Sequence, residues 1–574
     1  MTAELDRWLS PAIRGQIEQR YYAEINRRAS LAALIGDPSF RAALGSGRSH
    51  VGLYSDHGIV HARDVARQTL TVLERVHGVL IPRRPAARLA FLQGLGVLLA
   101  YVHDIGMVDF SRFGRVMHPE YVVKAVLGSE MDDLVAQMWS ENSANLAWHL
   151  TQLAQAGALR GEPQRVLREL LSLAIGHSKS KIPVAILNDR AALRARLLFI
   201  AAADLRQLYA ADSDGAPPES PPPAAAGSPA DDDAFAWLLS EHPAARQMAN
   251  DAIDAVRVLR AADALRQRGL VLKTSGGYEM FISRITGRAV YSFQSANGRN
   301  FLLELQDIVS AGEAIVAGSE LDANGNLRVA FHRGAFDTPQ ATQRAVEAAA
   351  HVVRDIAQDT LDSFRRPAGD DADAGLRPAD RTLVLLEQAD DSADFAARVR
   401  QRILDEDAAL RGRVRLVPSL RDVSERERAL YLAAAPLHWD MATRSALLQR
   451  LQAAGNLCEG IDPRLAFEEV RLARVRPGDV LIEGGAPAAF VYLPLGEGLR
   501  VIPLGGYEAS AALAWAPLGI TGVIRGAPRN ATIVAERELE LLIIPKAVYL
   551  REWYRPYTPD QLLNVLSPGD TQAG

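Results

Sequence analysis

His57 and His61 stand four residues apart in SDHGIVHARDVA, and His103 and Asp104 are adjacent after the apolar run GVLLAYV. His118 and His177 come later, and Asp204 and Asp263 each follow Ala-Ala at the end of an apolar stretch. Imidazoles and carboxylates drawn from several helices can hold a divalent ion while leaving positions for water and phosphate. Burying a carboxylate behind an apolar helix is costly unless it is paired or binds metal, so His103-Asp104 points to the same chemistry. The expected reaction is hydrolysis of a phosphoester. The expected cofactors are divalent metal ions, two of them, with Mn, Fe, Mg, Co and Zn all suited to such donors.

Roles can be sketched from spacing. On a helix, positions i and i+4 share a face, so His57 and His61 would turn into one cavity. His61 would ligate metal while His57 donates a proton to a leaving alkoxide; the plainer reading of His57 is an exposed residue near a helix start. His118 precedes PEYVVKAVL, read as a helix with Pro119 at its first position. His177 ends LLSLAIGH. Both are either ordinary helix-end histidines or the second half of a binuclear site. Lys179 and Lys181 beside His177 would neutralise phosphate or simply face solvent. The closing aspartate is Asp204 or Asp263. Asp263 fits slightly better, because arginines follow it on the same helical stretch.

The elements that must position these groups form a multidomain α+β chain. Its 574 residues exceed one core and imply about three or four domains. A net charge of −5 argues against the basic face of a nucleic-acid binder. A single cysteine, Cys458, excludes a disulfide framework and favours a reducing cytoplasm. No apolar leader is visible in MTAELDRWLSPAIRGQ, and Leu89 to Val102, interrupted by Gln93 and two glycines, reads as a core helix rather than a membrane span.

Residues 1–270 carry helical periodicity, broken at about 212–233 by a Pro/Ala/Gly/Ser/Asp stretch expected to be a disordered insertion. Residues 271–367 alternate apolar and polar positions, with DANGN as a hairpin turn, before a long amphipathic stretch. Residues 380–420 suggest a βαβ unit and 421–464 a helical connector. A glycine-punctuated β region occupies 465–560.

The order His61, His103-Asp104 and a late Asp resembles the HD-domain metal-dependent phosphohydrolases. HDIG followed by HPE is similar to the binuclear members of that superfamily, including HD-GYP-like enzymes. The GYP tripeptide is absent, so cyclic-di-GMP hydrolysis is not implied. HGIVHARDV also resembles a segment of class I cyclic-nucleotide phosphodiesterases. That likeness implies a general acid at His57 and a ligand at His61; Gly58 stands where that family has Asn. The resemblance implies an all-α HD-type domain with metal ligands His61, His103, Asp104, His118, His177 and one of Asp263 and Asp204, and catalytic His57 and Asp104; Lys179, read from its place beside His177, joins the catalytic set as an expected phosphate-neutralising residue.

The stretch from VRPGDVLIEGG to RELELLIIP resembles the cyclic-nucleotide-binding domain of the catabolite-activator type. This implies a β-roll in which Gly519, Arg529, Ala531 and Thr532 meet the ligand, with Arg529 on the cyclic phosphate. Ile520 stands where the family places a ribose-binding Glu, a loss of roughly 1–3 kcal/mol. The expected function is a cytoplasmic hydrolase acting on a nucleotide or related phosphoester, regulated by this sensor and its cyclic nucleotide. A homodimer is expected, with no membrane or nucleic-acid partner. The contrasting expectation is an HD scaffold that keeps its metal but has lost turnover.

Overall fold

A computed structural model of the chain describes residues 3–28, 57–109, 112–213, 233–265, 272–273, 278–294, 300–305, 308–332, 336–366, 379–388, 393–420, 423–437, 440–456, 458–504 and 509–555. Most of the expected 212–233 insertion, and the arginines that follow Asp263 in sequence, lie outside them. The chain divides into two compact units, residues 1–386 with 394–415, and residues 387–393 with 416–574.

The first unit is built on three long helices. Ile59–Val76 buries Ala62, Val65, Ala66, Thr69, Leu70, Leu73 and Val76, a stripe at helical spacing. Ala86–Val102 is buried almost all round from Phe91 onward, which suits its near-unbroken apolar sequence. By length and composition the stretch Ala86–Val108 could cross a membrane, yet 89% of its most apolar window is buried within the fold. Its glycines let neighbours approach: a Cβ on Gly96 would lie 2.8 Å from the Thr69 methyl, and one on Gly94 would lie 2.3 Å from Ala144. Pro243–Ala264 starts with proline at its first turn and packs its small residues against both other helices.

Buried ion pairs tie this core together. Asp251, 2% exposed, accepts from Arg84 (2.7 Å) and Arg88 (2.8 Å). Asp254 accepts from Arg84, Arg257 and Arg366 at 2.8–2.9 Å. Arg260 is 1% exposed and donates to the carbonyls of Gly176 (2.9 and 2.6 Å) and Ile182 (2.7 Å). This pins the 3-10 turn Leu173–His177 to the Pro243–Ala264 helix.

Strands β1 (Leu272–Lys273), β2 (Tyr278–Ile282), β3 (Ala289–Gln294) and β4 (Asn300–Leu305) pair antiparallel in sequence order. A second sheet has the order β5 (Val316–Leu321), β6 (Leu327–Phe331), β7 (Val384–Gln388), β8 (Val414–Pro418). DANGN does close the β5–β6 hairpin: Asp322 Oδ1 accepts from the backbone N–H of Asn324 and Asn326, and Gly325 takes the left-handed φ of +74°. β6 pairs parallel with β7, so the expected βαβ unit at 380–420 extends the hairpin's sheet instead of standing apart from 271–367. The crossover helix Pro339–Thr360 is capped by Thr338, and its Asp355 and Asp359 are paired with Lys179.

The second unit is a roll of two four-stranded sheets. One has the order β12 (Phe490–Pro494), β16 (Leu539–Pro545), β10 (Arg471–Val475), β9 (Ala435–Pro436). The other has β11 (Val480–Ile482), β15 (Ala531–Ala535), β13 (Leu499–Pro503), β14 (Ser510–Ala511). Alternate residues of β12 and β16 feed different cores. Phe490, Tyr492, Leu541 and Ile543 face one cluster, and Val491, Leu493, Leu542 and Ile544 the other. The segment expected as a connector, 421–464, supplies Tyr431 to the first cluster and Leu447, Leu448 and Leu451 to the second. It is therefore part of this core rather than a tether.

Burial pushes the Asp359 carboxyl up to about 7, against the pull of Lys179. An unfolded aspartate titrates near ~3.9, so between those values the folded chain holds a proton that the unfolded chain has released. Stability from this group is thus present at low pH and lost as pH rises through about 7. Asp359→Asn is expected to flatten the fall in thermal midpoint between pH 5 and pH 7.5; an unchanged slope would contradict it.

Candidate metal centre

Five segments converge on one carboxylate. His103 closes the Ala86–Val102 helix, and Asp104 follows it at the entry to the 3-10 turn Ile105–Val108. His61 lies in the first turn of Ile59–Val76, His118 inside the helix Arg112–Leu127, His177 at the end of Leu173–His177, and Asp263 near the end of Pro243–Ala264. Asp104 is 2% exposed, and its two oxygens face different partners. Oδ2 lies 2.9 Å from His57 Nδ1, 3.1 Å from His61 Nε2 and 3.2 Å from His103 Nε2. Oδ1 lies 3.6 Å from His118 Nε2 and 3.8 Å from His177 Nε2. The two pairs are themselves close: His61 and His103 Nε2 are 3.3 Å apart, and His118 and His177 Nε2 are 3.2 Å apart. Asp263 Oδ1 completes the first side at 3.4 Å from His61 and 3.9 Å from His103.

Second contacts fix the rings. His103 Nδ1 lies 2.8 Å from the carbonyl of Ala100, and His177 Nδ1 lies 2.8 Å from that of Ala174. A carbonyl can only accept, so each Nδ1 carries the proton and each Nε2 is turned into the cluster. Burial disfavours charge on His103, but the Asp104 carboxylate, with Asp263 beyond it, outweighs this and lifts the ring to about 9. Asp104 is driven the opposite way: burial would raise it, yet His103 and His57 hold it well below the carboxylate range. His177 is lowered by burial and by the neighbouring His103. Such a set of nitrogen donors around a bridging carboxylate fits two divalent cations. His61, His103, Asp104 and Asp263 would hold one, and Asp104, His118 and His177 the other.

The structure sorts the remaining expectations. His57 precedes its helix, whose N-cap is Gly58, so it reaches Asp104 from ahead of the helix and not as the i, i+4 partner of His61 on one helical face. Pro119 lies inside a helix running from Arg112, so His118 is a mid-helix residue and not a residue ahead of the first turn. Of the two aspartates left open, Asp263 stands in the cluster. Asp204 is exposed, and its Oδ1 accepts from the Arg206 backbone N–H at the start of the next helix. Lys179 is not aimed at the centre, because Asp355 and Asp359 hold it; Lys181 is buried against Glu120 at 2.9 Å. Gly106 was not singled out by sequence. A Cβ there would lie 2.4 Å from the His118 carbonyl oxygen, so the HDIG glycine lets the turn bearing Asp104 press against the His118 helix.

In the roll, Arg529 is 2% exposed, and both of its terminal nitrogens are engaged. Nη1 donates to the Gly519 carbonyl (3.0 Å), and Nη2 donates to the Phe490 carbonyl (2.7 Å) and to Glu427 Oε1 (2.6 Å). Glu427 is wholly buried and also accepts from Tyr492 Oη at 2.8 Å. Its carboxylate thus occupies the arginine expected to meet a cyclic phosphate. Gly519, at φ +79°, packs so closely that a Cβ would lie 2.3 Å from Arg529 Nη1. Thr532 Oγ1 accepts from the Gly484 backbone N–H (3.0 Å), Ala531 pairs with Pro503 between strands, and Ile520 packs on the second cluster. Ser424 caps the Glu427 helix, and S-x-x-E is the sequence sign that could have drawn attention to that glutamate.

No protein-family model matches the chain, and no curated protein matches it. Solved structures similar to part of it include one described as Sp-2Cl-cAMPS bound to PKAR CBD2, at 12% identity and a TM-score of 0.18, covering 20% of this chain and 77% of that one. A regulatory subunit of a cAMP-independent protein kinase A from Trypanosoma brucei matches at 17% identity and a TM-score of 0.18, covering 22% of this chain and 45% of that one. The sensor domain of the transcriptional regulator DNR from Pseudomonas aeruginosa matches at 21% and 0.18, covering 22% and 94%. The chain therefore spans less than half of the trypanosomal protein.

Two outcomes follow from the geometry. Gly106→Ala should force the Asp104 turn away from His118 and lower the Mn2+ retained relative to the unaltered chain, read by metal analysis after dialysis against added Mn2+; equal retention would contradict it. Glu427→Gln breaks a buried pair and should destabilise the roll by about 3–5 kcal/mol in urea unfolding. Stability returned by added cyclic AMP would mean that a phosphate can take the carboxylate's place.

Proposed function

We propose that the chain is a metal-dependent phosphoester hydrolase of the HD type, acting on a nucleotide or related phosphoester, with the C-terminal roll as its regulatory module. The observation that carries the reading is Asp104, a buried carboxylate whose two oxygens serve two separate sets of imidazoles. Divalent cations supply the positive charge that polarises a phosphoryl oxygen and acidifies water. The chain's own residues do the rest. Asp104 sets the spacing of the two donor sets. His61, His103 and Asp263 hold one side, and His118 and His177 the other. The carbonyls of Ala100 and Ala174 keep the inward nitrogens in place. His57 is partly exposed, at 22%, and its Nδ1 is anchored on Asp104. Its Nε2 is left to hand a proton to the leaving oxygen.

For regulation, the proposal is that a cyclic nucleotide would compete with Glu427 for Arg529. A second reading, an HD scaffold that binds metal without turnover, has one observation in its favour. The lysine expected to neutralise phosphate, Lys179, is engaged with Asp355 and Asp359.

His103→Ala with Asp104→Ala should remove bound metal and lower phosphoester hydrolysis on the order of 10³-fold or more. Asp204→Asn should leave both within about twofold, because a solvated helix-start aspartate makes only local contacts. Measured across a panel of nucleotides and cyclic nucleotides with added Mn2+, bound metal without any turnover in the unaltered chain would favour the scaffold. Turnover that survives the double substitution would place the chemistry elsewhere.

A further inference from the structure

The first unit contains a polar cavity that none of the cluster residues lines. It has a volume of about 270 Å3 and lies between the Pro243–Ala264 helix, the start of the Arg190–Ala202 helix, and Arg366. Arg246, Asn250 and Arg257 reach it at i, i+4 and i+11 of one helical face, and Asn188, Arg190 and Arg366 close it. Four guanidinium groups therefore meet there. The one carboxylate in the lining is Asp254, already shared by Arg84, Arg257 and Arg366. Nearby acids are likewise engaged: Asp251 with Arg84 and Arg88, and Asp189 with the backbone N–H groups of Ala191 and Ala192. Glu241 stands 4.0 Å from Arg246, with both in solvent. Two buried donors have no hydrogen-bond partner among the described residues, Arg190 Nη1 and Arg366 Nε.

Buried guanidinium donors without acceptors are costly, and the acceptor that answers several at once is a small multivalent anion. Among the described residues no aromatic side chain lines the cavity, so recognition falls on charge and on planar N–H forks. We propose that this cavity is a binding site for a small polyphosphorylated anion, of which the pyrophosphate group is the chemical core. Arg190 and Arg246 grip its exposed end and Arg366 its buried end, with the amide of Asn250 as a further donor. Arg257, which donates to Asp254 and to Asn188 Oδ1, and Asn188, whose amide donates to the Arg365 carbonyl, form the wall between them. Arg257 lies six residues before Asp263 on the same helix, about 9 Å along its axis, which sets the site apart from the His/Asp cluster. The proposal does not depend on the hydrolase reading.

The test is calorimetric titration of the full-length chain with pyrophosphate in metal-free buffer containing EDTA. The unaltered chain should bind one pyrophosphate per chain. Arg190→Gln should weaken it by about tenfold, and Arg190→Gln with Arg246→Gln by about a hundredfold. Neither residue belongs to the Asp251/Asp254 network, and far-ultraviolet circular dichroism should show both variants folded. Inorganic phosphate, with fewer oxygens, should bind more weakly than pyrophosphate. His118→Ala with His177→Ala should leave the affinity unchanged. Absence of heat in the unaltered chain, affinity within twofold in the double arginine variant, or loss of binding in the double histidine variant would each overturn the proposal.

Discussion

A carboxylate almost without solvent contact keeps its negative charge only if positive charge or donors close around it, and Asp104 sits under that constraint. Burial works against ionisation, and His103 and His57 reverse the balance. The rest of the helical region can be read as the means of keeping those partners in place. Small residues let the segments come close enough: Gly106 under the His118 carbonyl, and Gly176 where a Cβ would lie 2.3 Å from Val256. Arg260 then fastens the His177 turn by its carbonyls, so the ring stands against Asp104 through backbone held by a side chain from another helix.

How much of this the sequence discloses depends on the range of the interaction. Residue types that are costly to bury announce themselves, so His61, His103, Asp104, His118, His177 and Asp263 could all be picked out as a set. What sequence cannot carry is direction. His118 looked like a residue ahead of a helix because Pro119 usually opens one, whereas the helix extends through it. Asp204 and Asp263 share a local pattern, and only tertiary packing turns one inward and leaves the other as a helix start. The hairpin at DANGN was legible because its hydrogen bonds span four residues, while the β6–β7 pairing joins residues more than fifty apart and left no local mark. The Glu427–Arg529 pair was hidden for the same reason.

Arginine does three kinds of work here, distinguished by what each guanidinium meets. Arg260 meets carbonyls and serves as a staple, and burial lowers it to about 10. Arg84, Arg257 and Arg366 meet carboxylates, where planar forks satisfy buried charge at several angles at once. Arg529 meets one carboxylate and two carbonyls, an arrangement in which a glutamate does geometrically what a ligand's anionic oxygen would do.

The pairing of Glu427 with Arg529 also bears on the order in which the roll assembles. The two residues are separated by 102 positions, and both end almost without solvent. The glutamate's short helix can form early, capped by its own serine, but its carboxylate cannot leave water before its partner is in place. Closing so long a loop is slow compared with making local turns. During synthesis the Glu427 helix therefore emerges as a waiting, solvated segment. Final docking falls to the moment when Arg529, two residues ahead of β15, arrives, which makes this buried pair a late checkpoint on folding.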